Sequence, residues 1–191
     1  MKRIKTSTIV LIVIAVLVVL IGIFFFTSYN GLATSLQTVE KSQSDIQSQL
    51  QRRADLIPNL VNTVKGYAAH ETEVFSDVTE ARSKLMGANT VSEMDEAQAE
   101  MNSALSRLLL IVENYPDLKA SANYQALQDE LAGTENRINT ARTRYNEAAQ
   151  SYNNRIVRFP TNLIAGLFGF DKVDYFQASA GSEQVPTVSF E

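Results

Sequence analysis

The sequence contains no cysteine and no tryptophan, a single histidine and only four prolines. Without thiols, the chain has no disulfides, no thiol nucleophile, no iron–sulfur cluster and no Cys-ligated zinc. One histidine cannot build a His-rich metal centre. Turn signals are sparse, and no stretch alternates polar and apolar residues long enough to read as a half-buried strand. Basic residues are also in the minority: 17 Lys and Arg face 21 Asp and Glu, with a formal net charge of −4. That balance argues against a nucleic-acid binder. At 191 residues the chain has room for one compact domain and a small additional element.

What the sequence has in excess lies near its start. Positions 9–26 hold only Leu, Ile, Val and Phe apart from Ala15 and Gly22. At roughly −0.3 to −0.6 kcal/mol per such residue, sixteen of them favour insertion by about 5–10 kcal/mol as an upper bound. With Ser7, Thr8, Thr27 and Ser28 as flanks, 8–28 reaches the ~20 residues a bilayer requires. The expected anchor residues are Ile9, Leu11, Ile14, Leu17, Leu20, Ile23, Phe24, Phe25 and Phe26. A cleaved signal peptide is the rival reading, but Phe24–Phe26 stand where small residues would mark cleavage. Lys2, Arg3 and Lys5 precede the span, and the next cation is Lys41. The positive-inside rule therefore predicts a short cytoplasmic N-terminus (1–7), with the remainder outside the cytoplasm. Setting those three cations aside leaves 14 basic against 21 acidic residues, a net of −7. An acidic body of this kind stands off anionic headgroups.

Beyond the span the periodicity is helical. Leu32, Leu36, Val39, Gln43, Ile46 and Leu50 follow a 4-3-4-3-4 seam, continued by Ile57, Leu60, Val61, Val64 and Tyr67. Pro58 sits inside this stripe and removes a backbone donor, so a kink is expected. Further periodic stretches cover 72–86, 91–115 and 121–159, with breaks at Gly87-Ala88-Asn89 and before Pro116. A break near Tyr67–Thr72 makes the first and last helices comparable in length. The reading is all-α: an N-terminal transmembrane helix followed by an antiparallel four-helix, coiled-coil-like bundle over 29–160, with long first and last helices. An apolar membrane-proximal segment (161–176) and a polar tail (177–191) complete the expectation.

QRRADLIPNLVNTVKGYAAHE at 51–71, ENYPDLKAS at 113–121, LQDELAGTENRINTARTRYNEAAQSYNNRI at 127–156 and FPTNLIAGLFGF at 159–170 together resemble the LemA family. The resemblance covers roughly 1–176 and rests on the combination of motifs. It implies a bacterial, membrane-anchored helical bundle without established catalytic activity. Some relatives are associated with membrane remodelling or with operons for membrane-protein quality control.

Candidate sites are few. His70-Glu71 lacks the second His four residues on that a zinc helix needs, so it reads as a polar helix end. Arg52, Arg53 and Asp55 on one helix, with Glu135, Arg142 and Asn146 on another, either bind a polar ligand or fix helix register as semi-buried pairs. Tyr115, Tyr124, Tyr145 and Tyr152 read as an aromatic slot or as core. Asn136, Asn139, Asn153 and Asn154 suit hydrated faces or polar contacts between subunits. Leu163, Ile164, Leu167, Phe168 and Phe170 form a run too short to span a bilayer, suited to the headgroup boundary or to a groove at the base of the bundle. No phosphate loop, nucleophile elbow or carboxylate pair with a base is present.

These features point to a single-pass protein of the bacterial inner membrane, without enzyme activity, metal or cofactor. It is expected to act as a scaffold by homo- or hetero-association. Its expected partners are the lipid bilayer, further copies of itself and a membrane protein, with no nucleic acid. The alternative is an accessory to a membrane protease or envelope stress system.

Overall fold

A computed structural model describes residues 6–177. The cations Lys2, Arg3 and Lys5 lie outside the described residues, as does the polar tail beyond Gln177. Six helices make up the architecture of the described residues: α1 Thr6–Lys65, α2 Thr72–Gly87, α3 Val91–Val112, α4 Pro116–Lys119, α5 Ala122–Val157 and α6 Thr161–Phe168. Among the described residues there is no strand. Helix α1 carries the apolar run and the first seam of the bundle on one continuous helix of 60 residues. Asn30-Gly31, a turn-forming pair elsewhere, is helical here.

Helix α1 also runs through Pro58. A proline cannot donate to the carbonyl four residues back, so Ala54 O is left without its helical partner. Arg82 Nε on α2 takes that place, donating to Ala54 O at 2.7 Å. The proline thus creates an acceptor on a buried face, and the arginine fixes the register of α2 against it.

The chain divides into two compact units. One contains α1 up to Lys41, α5 from Glu147, α6 and the chain as far as Val173. Its core includes Leu32, Ile164 and Ala165, with Phe24, Ile156 and Phe170 packed against them. Arg155 Nη1 donates to Gly31 O at 3.1 Å, tying α5 to α1. Helix α6 ends at Gly169, whose φ of 70° is left-handed and costs glycine nothing. Phe170 N then donates to Ala165 O at 3.0 Å and turns the chain out of the helix.

The other unit holds α1 from Ser42, α2, α3, α4, α5 as far as Asn146, and the chain from Asp174. Residue pairings give the directions of its four main helices. Gln43 meets Asn89 while Ala54 meets Arg82, so α2 runs antiparallel to α1. Asp95 meets Arg142 while Gln98 meets Glu135, so α5 runs antiparallel to α3. Ile46, Ile57, Leu60, Val78, Met94, Met101, Leu108 and Ile138 are buried along the seam. Helix α3 starts at a capping box: Glu93 N donates to Thr90 Oγ1, and Thr90 N to Glu93 Oε2. The backbone N–H groups of Asn89 and Thr90 hold the Glu93 carboxyl below its usual range.

Candidate functional site

In the first unit, apolar surface is exposed where a globular protein would bury it. Ile9, Leu11, Ile14, Leu17, Leu20, Ile23, Phe25 and Phe26 all face outward, and the most apolar window of α1 has no covered residue. This is a helix long and apolar enough to cross a membrane. Thr27 sits at its end, with its hydroxyl donating to Ile23 O at 2.9 Å, which hides a polar group inside the helix.

Helix α6 carries no charge. The five candidate residues on it and just past its end divide between two faces. Ile164 is buried against Leu32, and Phe170 is half-buried in the same cluster. Leu163, Leu167 and Phe168 point outward at 62%, 69% and 52% exposure. The run is therefore core on one face and open on the other, which its uniform hydrophobicity conceals. Tyr29 joins α6 to the anchor: its ring lies 4.9 Å from Phe168 and 5.6 Å from Phe170, both edge-on. Tyr29 follows closely on the end of the apolar run at Phe26, the position at which aromatic rings mark a membrane boundary.

In the second unit a polar seam crosses the bundle. Arg53 is almost fully buried, with Nη1 2.6 Å from Glu135 Oε2 and Nη2 donating to Asn102 Oδ1 at 2.6 Å. Gln98 Nε2 donates to the other Glu135 oxygen at 3.2 Å. Burial pushes the Arg53 pKa down, and the Glu135 charge opposes that shift. Arg53 Nε has no partner among the described residues. Three helices therefore meet at one buried charge. Arg52 pairs instead at the surface, Nε to Glu130 Oε1 at 3.0 Å, with Arg137 on the same carboxylate. Asp55 accepts from Gln51 and lies 3.9 Å from Arg82. The candidate polar residues are thus not one site: Arg53 and Glu135 form one cluster, Arg52 a second, and Arg142, Tyr145 and Asn146 a third.

That third cluster holds an extended stretch of the chain. Asn146 grips one residue twice, with Oδ1 accepting from Phe176 N at 3.0 Å and Nδ2 donating to Phe176 O at 2.9 Å. Tyr145, itself buried, donates its hydroxyl to Asp174 O at 3.0 Å. Burial, followed by the charge of Asp174, pushes the Tyr145 phenol upward, which keeps it a donor. Arg142 pairs with Asp95 and donates to Gln177 O at 2.7 Å, while Gln177 N donates to Asp95 Oδ2 at 3.1 Å. The Phe176 ring lies edge-on to Tyr145 at 5.1 Å and beneath the Arg142 guanidinium.

In the first unit Asn153 uses the same device on Val173, accepting from its N–H at 3.0 Å and donating to its carbonyl at 2.8 Å. Asn153 is therefore a buried clamp and not part of a hydrated face. The segment expected to be apolar and membrane-proximal over 161–176 changes character at Gly169. Beyond it, 171–177 has no helix or strand. Sequence reasoning misses Asp95 and Arg82 altogether, and it misses the clamping part of Asn153. A signal for the clamps exists in the Tyr-Asn pair at 145–146, repeated seven residues later at 152–153.

The remaining candidates are core or surface. Tyr124 and Tyr152, like Tyr145, are buried, and Tyr115 is partly covered. His70 is exposed between α1 and α2. Among the described residues, no three His, Asp or Glu side chains converge as metal ligands would. A groove of 380 Å³ runs past Ser42, Asp45, Gln49, Arg137 and Arg144.

Comparison with known proteins gives the relationship. The LemA family model matches residues 42–190, beginning beyond the apolar run. The magnetosome protein MamQ 2 of Paramagnetospirillum magneticum is 29% identical over 78% of this chain and 64% of its own length. The chain thus spans a little under two thirds of that relative. MamQ of Magnetospirillum gryphiswaldense is 26% identical over 83% of this chain and 68% of its own. Protein LemA of Metamycoplasma hominis is 32% identical, covering 83% of this chain and 74% of that protein. With its all-α architecture and the family match over most of its length, the chain belongs to the LemA family.

Proposed function

We propose that this protein is a non-catalytic, membrane-anchored helical scaffold that acts by association with further copies or with other membrane proteins, and that α6 makes a second contact with the bilayer. The observation that carries the reading is the outward apolar surface of α1, continued through Tyr29 onto the open face of α6. A large side chain gains about 1.5–3 kcal/mol on full burial, so Leu163, Leu167 and Phe168 at their observed exposure would gain about 3–5 kcal/mol at an acyl boundary. That is enough to hold α6 against a membrane to which α1 already tethers it. The polar seam suits a rigid scaffold, because buried polar groups in bundles fix register, here that of α1, α3 and α5 within one chain, at a cost in stability. Relatives named as magnetosome proteins favour an organising part over a metabolic one.

In this reading the protein lies in the bacterial inner membrane, its N-terminus cytoplasmic and the bundle outside. Light scattering on the full chain in detergent tests the association. The expected mass, corrected for detergent, exceeds one chain. A strictly monomeric particle at high concentration, both in detergent and in lipid nanodiscs, would refute it.

A further inference from the structure

The cleft that holds Asp174–Gln177 recognises main chain, not covalent connectivity. Five backbone polar atoms of this short segment are satisfied, and in each case the partner is a side chain: Tyr145, Asn146, Asp95 or Arg142. One side chain of the segment supplies the anchor. Phe176 is buried between the edge of Tyr145 and the guanidinium of Arg142. This combination of main-chain hydrogen bonds with a single aromatic pocket is how protein surfaces capture extended peptides.

We propose that the cleft of Asp95, Arg142, Tyr145 and Asn146 is a docking site for the Asp174–Gln177 segment of a second copy, so that two chains exchange this segment. The proposal rests on the self-association reading above and names the contact that produces it. Three observations favour a second copy as the occupant. The segment already seated in the cleft is this chain's own, so every further copy carries a ligand of matched fit. Exchange remakes the same five hydrogen bonds and the same ring contacts, and the Asn153–Val173 pair as well when Val173 moves with the segment, so the two arrangements differ little in contact energy. Anchors in one bilayer also confine copies to a thin layer, which raises their effective concentration for each other.

The chain has no cysteine, so engineered pairs report without background. Gln177 N lies 3.1 Å from Asp95 Oδ2, so the two positions are neighbours in the cleft. Differently tagged full-length Asp95→Cys and Gln177→Cys chains are co-expressed, and their membranes are oxidised. The expected product is a covalent heterodimer that requires both cysteines and falls about tenfold when Phe176→Ala is added to the Gln177→Cys copy, as for loss of an interface anchor. The double variant Asp95→Cys/Gln177→Cys, expressed alone, is expected to form crosslinks between chains as well as within them. If it closes its disulfide only within one chain, and the mixed copies give no heterodimer, exchange is refuted. Light scattering on the same detergent-solubilised membranes separates the two ideas. A particle larger than one chain without the cross-link overturns segment exchange and leaves self-association standing, whereas a monomer overturns both.

Discussion

Removing either member of the Arg53–Glu135 pair should have unequal consequences. The Arg53 side chain is 6% exposed and Glu135 is 31% exposed. In Glu135→Met the guanidinium keeps Asn102 but loses its counter-charge, in a place water barely reaches. Breaking a buried pair in this way costs about 3–5 kcal/mol, and the partial exposure of Glu135 sets the expectation at about 3 kcal/mol. In Arg53→Met the stranded carboxylate turns to water and keeps Gln98, so the loss is about 1–2 kcal/mol, that of ordinary hydrogen bonds. The double variant Arg53→Met/Glu135→Met leaves no buried charge, and lies within about 1 kcal/mol of the parent. At about 2–4 °C per kcal/mol for a chain of this size, Glu135→Met should melt roughly 6–12 °C below the parent. Circular dichroism of the detergent-solubilised full chain measures the melts. Adding the second substitution should raise the melting temperature of Glu135→Met. If the double variant is less stable than both singles, or Glu135→Met melts with the parent, the seam is not a buried charge cluster.

The Pro58–Arg82 device makes a conditional prediction. Arg82→Leu strands the Ala54 carbonyl and costs about 1–3 kcal/mol. The same change in a Pro58→Ala background costs less, because the substituted residue regains the backbone N–H that the carbonyl needs. Urea midpoints for the four chains decide it, and equal losses in both backgrounds would count against the device. Acid should weaken the fold through Glu93 and Glu130, whose carboxyls are held below the usual carboxylate range, the first by backbone N–H groups and the second by Arg52. A depressed folded pKa gives stability that is present above the unfolded value and is lost as pH falls through the folded one. Glu93→Gln/Glu130→Gln should therefore flatten the decline of melting temperature below about pH 4.5, and an unchanged slope would contradict it. Orientation is read with Ser103→Cys, an exposed position on α3. An impermeant maleimide should label it in spheroplasts, and labelling only after lysis would place the bundle inside.

Much of the architecture is legible because burial imposes a period. The seam from Leu32 to Leu50 and the breaks at 67–72, Gly87 and Pro116 match helix ends and buried faces. The continuity of α1 through Asn30-Gly31 is less legible, because that pair carries a local turn propensity that the helix overrides. Pro58 announces the donor it lacks. What the sequence hides is the acceptor it frees and the Arg82 that takes it, since that pairing crosses 28 positions. The clamps are hidden for a related reason. Asn153 reads as part of a hydrated face or a contact between subunits and Asn146 as a ligand or register residue, and only the bound chain at 173–177 shows that both have traded water for backbone. Arg53 and Glu135 are legible as candidates, but Asn102 and Gln98, which complete their cluster, carry no distinguishing pattern.

The placement of α6 at the membrane is tested most directly by fluorescence depth. The sequence has no tryptophan, so Phe168→Trp creates a single indole on the open face of α6, beside Tyr29. The full-length variant is reconstituted into liposomes whose lipids are brominated along the acyl chains. A scaffold held by both α1 and α6 predicts quenching that is strongest for bromines nearest the headgroup. Blue-shifted emission that no brominated lipid quenches would place this face against protein, and would contradict the second membrane contact.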